Sequence, residues 1–211
     1  MTASMPASHA APGAPAQGER TIVLGAGIAG LATALALQPR PVTIVTPGPV
    51  EVGAATAWAQ GGIAAALGGD DGPARHADDT LAAGAGLCDA AVVDAVTRAA
   101  PAAIRRLAHW GVAFDRTEAG GHARALEGGH TVARVLHAGG DRSGAAIRHA
   151  LLEAAQASPS IAVAAHHRPT ALLTAGGRVA GVRLQPAERP GTNDPIDLPA
   201  RAVVLATGGY A

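Results

Sequence analysis

Residues 20–46 read RTIVLGAGIAGLATALALQPRPVTIVT. The apolar, β-branched run 20–25 ends in glycine and reads as a buried strand. Residues 28–38 are a helix-favouring run stopped by Pro39. Residues 41–46, PVTIVT, read as a second strand. Strand, glycine turn, helix and strand within ~30 residues make a βαβ unit with a right-handed crossover. Inside it, Gly25 to Gly30 spell G-x-G-x-x-G. The first glycine makes the tight turn, the second lets backbone approach a pyrophosphate, and the third lets helix and strand pack closely. Free N–H groups and the dipole at the helix start favour an anion there. The unit therefore predicts a dinucleotide site with Gly25, Gly27, Ile28, Ala29 and Gly30 at the phosphates.

The usual companion is an acidic residue about 20 residues on, gripping the ribose hydroxyls. Here the second strand ends in Thr46, and the next acid is Glu51. Thr46 can bond a hydroxyl, but the missing carboxylate argues against a plain nicotinamide-dinucleotide site. Residues 198–209, LPARAVVLATGG, have the shape of a second fingerprint, an apolar strand ending in Ala206, Thr207 and Gly208. The two glycine turns flank one ligand if their strands are neighbours.

Between them lies GAATAWAQGGIAAALGG (53–69), with seven Ala, five Gly and no charge. It is too glycine-rich for a good helix and too apolar for an ordinary surface loop. Something must lie close against this backbone. Residues 76–87 read as a helix. Residues 89–111 read as another, with Asp89 as N-cap, Gly111 as its stop and Pro101 kinking or splitting it. Residues 112–142 read as short strands and turns. Residues 143–157 form an amphipathic helix capped by Ser143, with Ile147, Leu151, Ala154 and Ala155 on one face. A third strand (160–166), a hairpin over 170–186 closed by Gly176-Gly177, a polar loop (187–195) and a last strand (201–206) complete the chain. This order is the wiring of an α/β, doubly wound (Rossmann-like) FAD-binding domain with a β-meander. No closing helix follows the last strand. The expectation is an incomplete domain over 20–211, the front part of a longer polypeptide truncated before most of a cap domain.

Bulk properties narrow the function. The 211 residues contain 16 basic and 16 acidic groups, so there is no electrostatic footprint for nucleic acid and no basic face for a membrane. All the basic residues are Arg, a coding bias rather than a design. Aromatics are 2% of the chain, so the core must be built from Ala, Val, Leu and Ile. The lone Cys88 excludes an intrachain disulfide and reads as a small buried apolar residue. Residues 1–19 lack the apolar core of a secretory signal and read as a disordered tail. With no stretch of ~20 apolar residues, the expectation is a soluble cytoplasmic protein.

LEGGHTVARVLHAGGDRSG (126–144) gathers Glu127, His130, Arg134, His137, Asp141 and Arg142. His122, His130 and His137 are spaced by eight and seven, which does not bring them to one helical turn, so no metal site is expected. A carboxylate and an imidazole three residues apart, Glu127 and His130, can orient a polar substrate or move protons. Ordinary loop hydrogen bonding is the competing reading. His109, His149, His166 and His167 read as surface or core filler.

GAGIAGLATAL, TAWAQGGIAAAL, HADDTLAAGAGLCD, GVAFDR, EGGHTVARVLHAGGDRSG and AVVLATGG follow one another in order. Together they resemble the N-terminal part of the L-aspartate oxidase family, within the succinate dehydrogenase/fumarate reductase flavoprotein superfamily. The resemblance covers roughly 20–211. It implies that Thr56, Ala59, Gln60, Gly61 and Gly62 line FAD. It also implies that Ala55, where membrane-complex relatives carry the flavin-linking histidine, leaves the flavin non-covalent. It makes Glu127 the active-site glutamate that senses the substrate ammonium, supported by His130 and Arg134. Pro47 departs from the lysine more common there. The implied chemistry is oxidation of L-aspartate to iminoaspartate, the first step of NAD biosynthesis via quinolinate, with oxygen or fumarate as electron acceptor. Hand-over to quinolinate synthase is implied by the family. The main substrate-carboxylate residues would lie beyond Ala211, so this length alone is expected to be inactive. The competing readings are a soluble fumarate reductase or succinate-oxidising flavoprotein and a non-catalytic nucleotide-binding remnant.

Overall fold

A computed structural model describes residues 19–51, 55–187 and 194–209. Residues 1–18 of the tail expected over 1–19, most of the polar loop at 187–195, and residues 53 and 54 of the Ala/Gly stretch lie outside the described residues. The elements run β1 (Thr21–Leu24), α1 (Ile28–Ala36), β2 (Val42–Val45), β3 (Ile63–Ala64), α2 (Pro73–Ala83), α3 (Ala90–His109) and β4 (Val135–Leu136). They continue with α4 (Ser143–Gln156), β5 (Ile161–Ala164), β6 (His167–Ala175), β7 (Arg178–Pro186), β8 (Ile196–Pro199) and β9 (Ala202–Leu205).

Four strands form one sheet in the order β5-β2-β1-β9, all parallel. Every residue of β1 and β2 is buried, as the near-continuous apolar runs of a sheet covered on both faces require. Alternation divides β1 between two cores. Val23 joins Leu31 and Leu35 of α1, Ile44 of β2, and Ile147 and Leu151 of α4. Ile22 and Leu24 face the other way, against Val45, Val182, Leu184 and Ala200. The second core belongs to the antiparallel meander β6-β7-β8. The architecture is therefore three layers: helices α1 and α4, the parallel sheet, and the meander in place of helices on the second face. A small pair, β3 with β4, binds the Ala/Gly stretch to the segment before α4.

The helices depart from expectation in three places. The first is α2, which starts at Pro73 and ends before Gly84, earlier than 76–87; proline is pre-organised for the first helical position and a poor continuation elsewhere. Second, α3 runs unbroken through Pro101. The proline removes the bond to the Thr97 carbonyl. However, Val93 and Thr97 before it, and Ile104 and Leu107 after it, are buried together and hold one helix. Asp89 caps α3 as expected, its carboxylate accepting from the Ala91 and Val92 amides at 2.9 and 3.2 Å. Third, Ser143 is not the cap of α4 but its first residue. Its hydroxyl accepts from the Ala138 amide at 3.1 Å and donates to the Gly140 carbonyl at 3.0 Å, tying the preceding turn instead. Cys88 is half-buried rather than buried, with its thiol against the Thr80 carbonyl.

Candidate cofactor and active site

The neighbour relation that sequence left open is settled by the sheet. Leu24 stands opposite Leu205, so the two glycine turns leave adjacent parallel strands. Gly25, Ala26, Gly27, Thr46, Thr56, Ala206, Thr207 and Gly208 all line one cleft of about 160 Å³ at the carboxyl ends of these strands, where open α/β sheets bind ligands. Gly25 has φ +115°, and a Cβ there would strike the Ala206 carbonyl. A Cβ on Gly30 would strike the Gly25 carbonyl, so this glycine lets α1 sit directly on the turn. The N-cap of α1, Gly27, has no side chain to cap it; instead the Ile28 amide donates to Thr56 Oγ1 at 3.2 Å. Thr46 is buried, its amide donating to the Ala164 carbonyl and its carbonyl accepting from His167. Ala29 lies exposed on the first turn of α1.

Arg148, on α4, also lines this cleft and is 5% exposed. Its guanidinium donates to the backbone carbonyls of Val50 and Glu51, and its Nε has no partner. Burial pushes it below the usual arginine range, with the Glu51 charge opposing. An orphaned buried donor beside bare backbone amides fits an anionic group, and the dinucleotide phosphates suit these residues.

The closeness demanded by the Ala/Gly stretch is met partly by the protein itself. A Cβ on Gly144 of α4 would strike the carbonyls of Thr56 and Ala59, and one on Gly62 would strike the Leu136 carbonyl of β4. Ala59 and Gln60 are exposed, and Gly61 has open space beside its Cα. Thr56 meets the start of α1; Ala59, Gln60 and Gly61 present the outer surface of the stretch.

Glu127 and His130 are not paired through their side chains. Glu127 Oε1 instead lies 2.7 Å from His137 Nε2, while His137 Nδ1 faces the Gly140 carbonyl at 3.1 Å. The doubly protonated ring can donate to both acceptors; the neutral ring can serve only one. Asp115 fixes this corner by accepting from the Gly139 and Gly140 amides at 3.0 and 3.2 Å. His137, Arg124, Asp115 and Asp141 border an open pocket of about 390 Å³. Glu127 keeps 44% of its side chain exposed, so this carboxylate is available to a ligand.

Arg134 lies elsewhere. Its side chain is fully buried and forks onto Asp71 through Nε and Nη2 at 3.0 and 2.8 Å. Nη1 donates to Asp79 Oδ2 and, at 2.9 Å, to His130 Nδ1. Asp79 also accepts from the Thr131 amide and hydroxyl at 2.9 and 3.0 Å. The Thr131 bonds and Arg134 hold the Asp79 carboxyl down at about 2, and Arg134 holds Asp71 below the carboxylate range. Burial, with the Arg134 and His130 charges, pushes His76 down. Arg134 and His130 thus clamp α2 to the segment that carries Glu127, and the Arg134 side chain is fully buried. Sequence reading missed His137 as the partner of Glu127, and it missed Asp71, Asp79 and Arg148 altogether. His137 stood in the same quoted motif and Asp79 in HADDTLAAGAGLCD; Asp71 and Arg148 carried no local signal.

Among the described residues no group of three or more His, Cys, Asp and Glu is arranged to hold a metal ion, and no helix is long and apolar enough to cross a membrane. Among proteins of known name, the chain is 47% identical over 195 residues to the L-aspartate oxidase of Caulobacter vibrioides, covering 90% of this chain and 37% of that protein. It is 46% identical to the L-aspartate oxidase of Agrobacterium fabrum, over 92% of this chain and 36% of that one. The chain spans little more than a third of the length of these curated relatives. Among solved structures, E. coli quinol fumarate reductase, FrdA subunit, superposes with a TM-score of 0.79 at 29% identity, covering 92% of this chain and 33% of that one. The Mycobacterium smegmatis Sdh1 complex gives 0.75 at 31%, covering 90% and 35%. The family profile described as FAD binding domain matches residues 20–211. With the paired glycine turns, the parallel sheet and the meander already in place, that match means the chain belongs to the FAD-binding domain family.

Proposed function

We propose that this chain is the FAD-holding part of an L-aspartate oxidase, binding FAD non-covalently and oxidising L-aspartate to iminoaspartate. The observation that carries this reading is the exposed Glu127 carboxylate, braced by His137 at 2.7 Å, in a chain 47% identical over 195 residues to an L-aspartate oxidase. A carboxylate there attracts the α-ammonium of an amino-dicarboxylate and repels a further carboxylate. Bound FAD would supply the hydride acceptor. The residues at the Gly25–Gly30 turn, Thr46, Thr56 and Ala206–Gly208 would hold its phosphate and ribose parts, and the 59–62 backbone would border its ring system. Ala55 offers no nucleophile for a covalent flavin link. The relatives' names support a place in NAD biosynthesis, and the enzyme would work in the cytoplasm. Oxygen or fumarate would be its electron acceptor, and quinolinate synthase would consume its unstable product.

The test is the intact polypeptide that carries these residues. Aspartate-dependent peroxide formation, with flavin released into the supernatant on acid precipitation, is the expected result. Flavin retained in the pellet would refute the non-covalent reading. Turnover of succinate but not aspartate would refute the substrate.

A further inference from the structure

Among the described residues two arginines are buried, and their surroundings differ. Arg134 meets two carboxylates. Arg148, 5% exposed, hydrogen-bonds only to the carbonyls of Val50 and Glu51; the Glu51 charge acts on it without pairing, since among the described residues no carboxylate lies at ion-pair distance, and its Nε has no partner. A guanidinium stays protonated in proteins, and burying one without a counter-charge is costly. Arg148 borders the cleft framed by Gly25, Gly27 and Thr207, and among the described residues no other residue lining that cleft is charged. The start of α1, with Gly27 as its N-cap, lies at the same place.

We infer that Arg148 supplies the counter-charge for the pyrophosphate of the bound dinucleotide and so makes the site select FAD over phosphate-free riboflavin. The inference rests on the reading that this domain binds FAD. Arg148 also anchors the start of the Ala/Gly stretch through its two carbonyl bonds. The experiment must therefore separate charge from anchoring.

The intact polypeptide, stripped of flavin, is titrated with FAD and with riboflavin while flavin fluorescence is followed. Arg148→Met should weaken FAD binding on the order of 10- to 100-fold, the loss expected for hydrogen bonds to a charged partner, and leave riboflavin affinity unchanged. The rise in Tm that FAD produces should shrink in parallel. Arg148→Lys keeps the charge but not the two-carbonyl fork, and it should retain the preference for FAD. Equal weakening of both flavins in Arg148→Met means anchoring alone and overturns the inference, as does unchanged FAD affinity. If Arg148→Met does not fold, loss of the FAD preference in Arg148→Lys overturns it. A wild-type protein that takes up neither flavin sinks the cofactor reading itself. One that binds both equally sinks only the role of Arg148.

Discussion

Replacing Arg134 with Met tests what clamps the Glu127 segment. The substitution removes a side chain that is 0% exposed and leaves two carboxylates behind, with side chains 1% and 8% exposed at Asp71 and Asp79. Breaking a buried ion pair from one side costs about 3–5 kcal/mol, because the remaining charge is left uncompensated. For a domain of this size that corresponds to a fall in Tm of roughly 6–20 °C. The methylene stem of Met fills part of the lost volume, so the penalty is mostly electrostatic. It should therefore depend on pH. Asp71 and Asp79 are held below 3.8 in the folded protein, Asp79 at about 2. Carboxyls depressed in this way contribute stability that is present above 3.8 and lost as pH falls toward 2. The variant lacks the share of that contribution which Arg134 supplies, the Thr131 bonds keeping theirs at Asp79, so the gap between it and wild type should be widest near pH 7 and should narrow as the pH falls through that window. Neutralising the carboxylates as well, in Arg134→Met/Asp71→Asn/Asp79→Asn, should recover much of the loss. The assay is thermal or guanidinium unfolding across pH. A penalty below about 1 kcal/mol, the range of exposed ion pairs, would refute the buried-triad argument. So would a penalty that does not change with pH.

Other outcomes follow from the same geometry. Glu127→Gln should lower kcat/KM for aspartate about 10- to 100-fold, the value of one charged hydrogen bond, and leave succinate turnover no worse; an unchanged aspartate-to-succinate ratio would remove Glu127 from substrate recognition. Gly30→Ala drives a Cβ into the Gly25 carbonyl and should cost about 1–3 kcal/mol, as overpacking does, with flavin uptake reduced; normal uptake and stability would contradict the packing. His76 sits below its ordinary 6.5 because it is buried near Arg134 and His130. The unfolded chain therefore binds the extra proton first, and stability should fall as pH drops below about 6.5. His76→Phe should flatten that limb, and an identical slope in both proteins would exclude His76. Asp89→Ala removes the α3 cap and should cost about 1 kcal/mol by unfolding; no change would mean the cap bonds are not formed in solution.

Much of the fold could be read from the chain because its signals are local. G-x-G-x-x-G between an apolar strand and a helix identifies the βαβ unit, since turn, dipole and packing needs fall within six residues. The all-apolar runs mark strands covered on both faces, and Asp89 marks a helix start two and three residues ahead of its partners. At Pro101 local chemistry predicts a kink or a split, and residues buried on either side of it rule out the split by keeping α3 whole.

The site divides in the same way. Sequence alone named the glycine turns and Thr46 from a short pattern with its own mechanism, while Thr56 and the substrate role of Glu127 came from the family resemblance. Only the tertiary structure paired Glu127 with His137 rather than with His130, sent Arg134 to Asp71 and Asp79, and placed Arg148 against Val50 and Glu51. These partners lie 10, 63, 55, 98 and 97 residues apart along the chain. Hydrogen bonding and Coulomb attraction act over ångströms in space and leave no periodicity in sequence. They become definite only when the parallel sheet brings β1, β2 and β9 side by side and lays α4 across them.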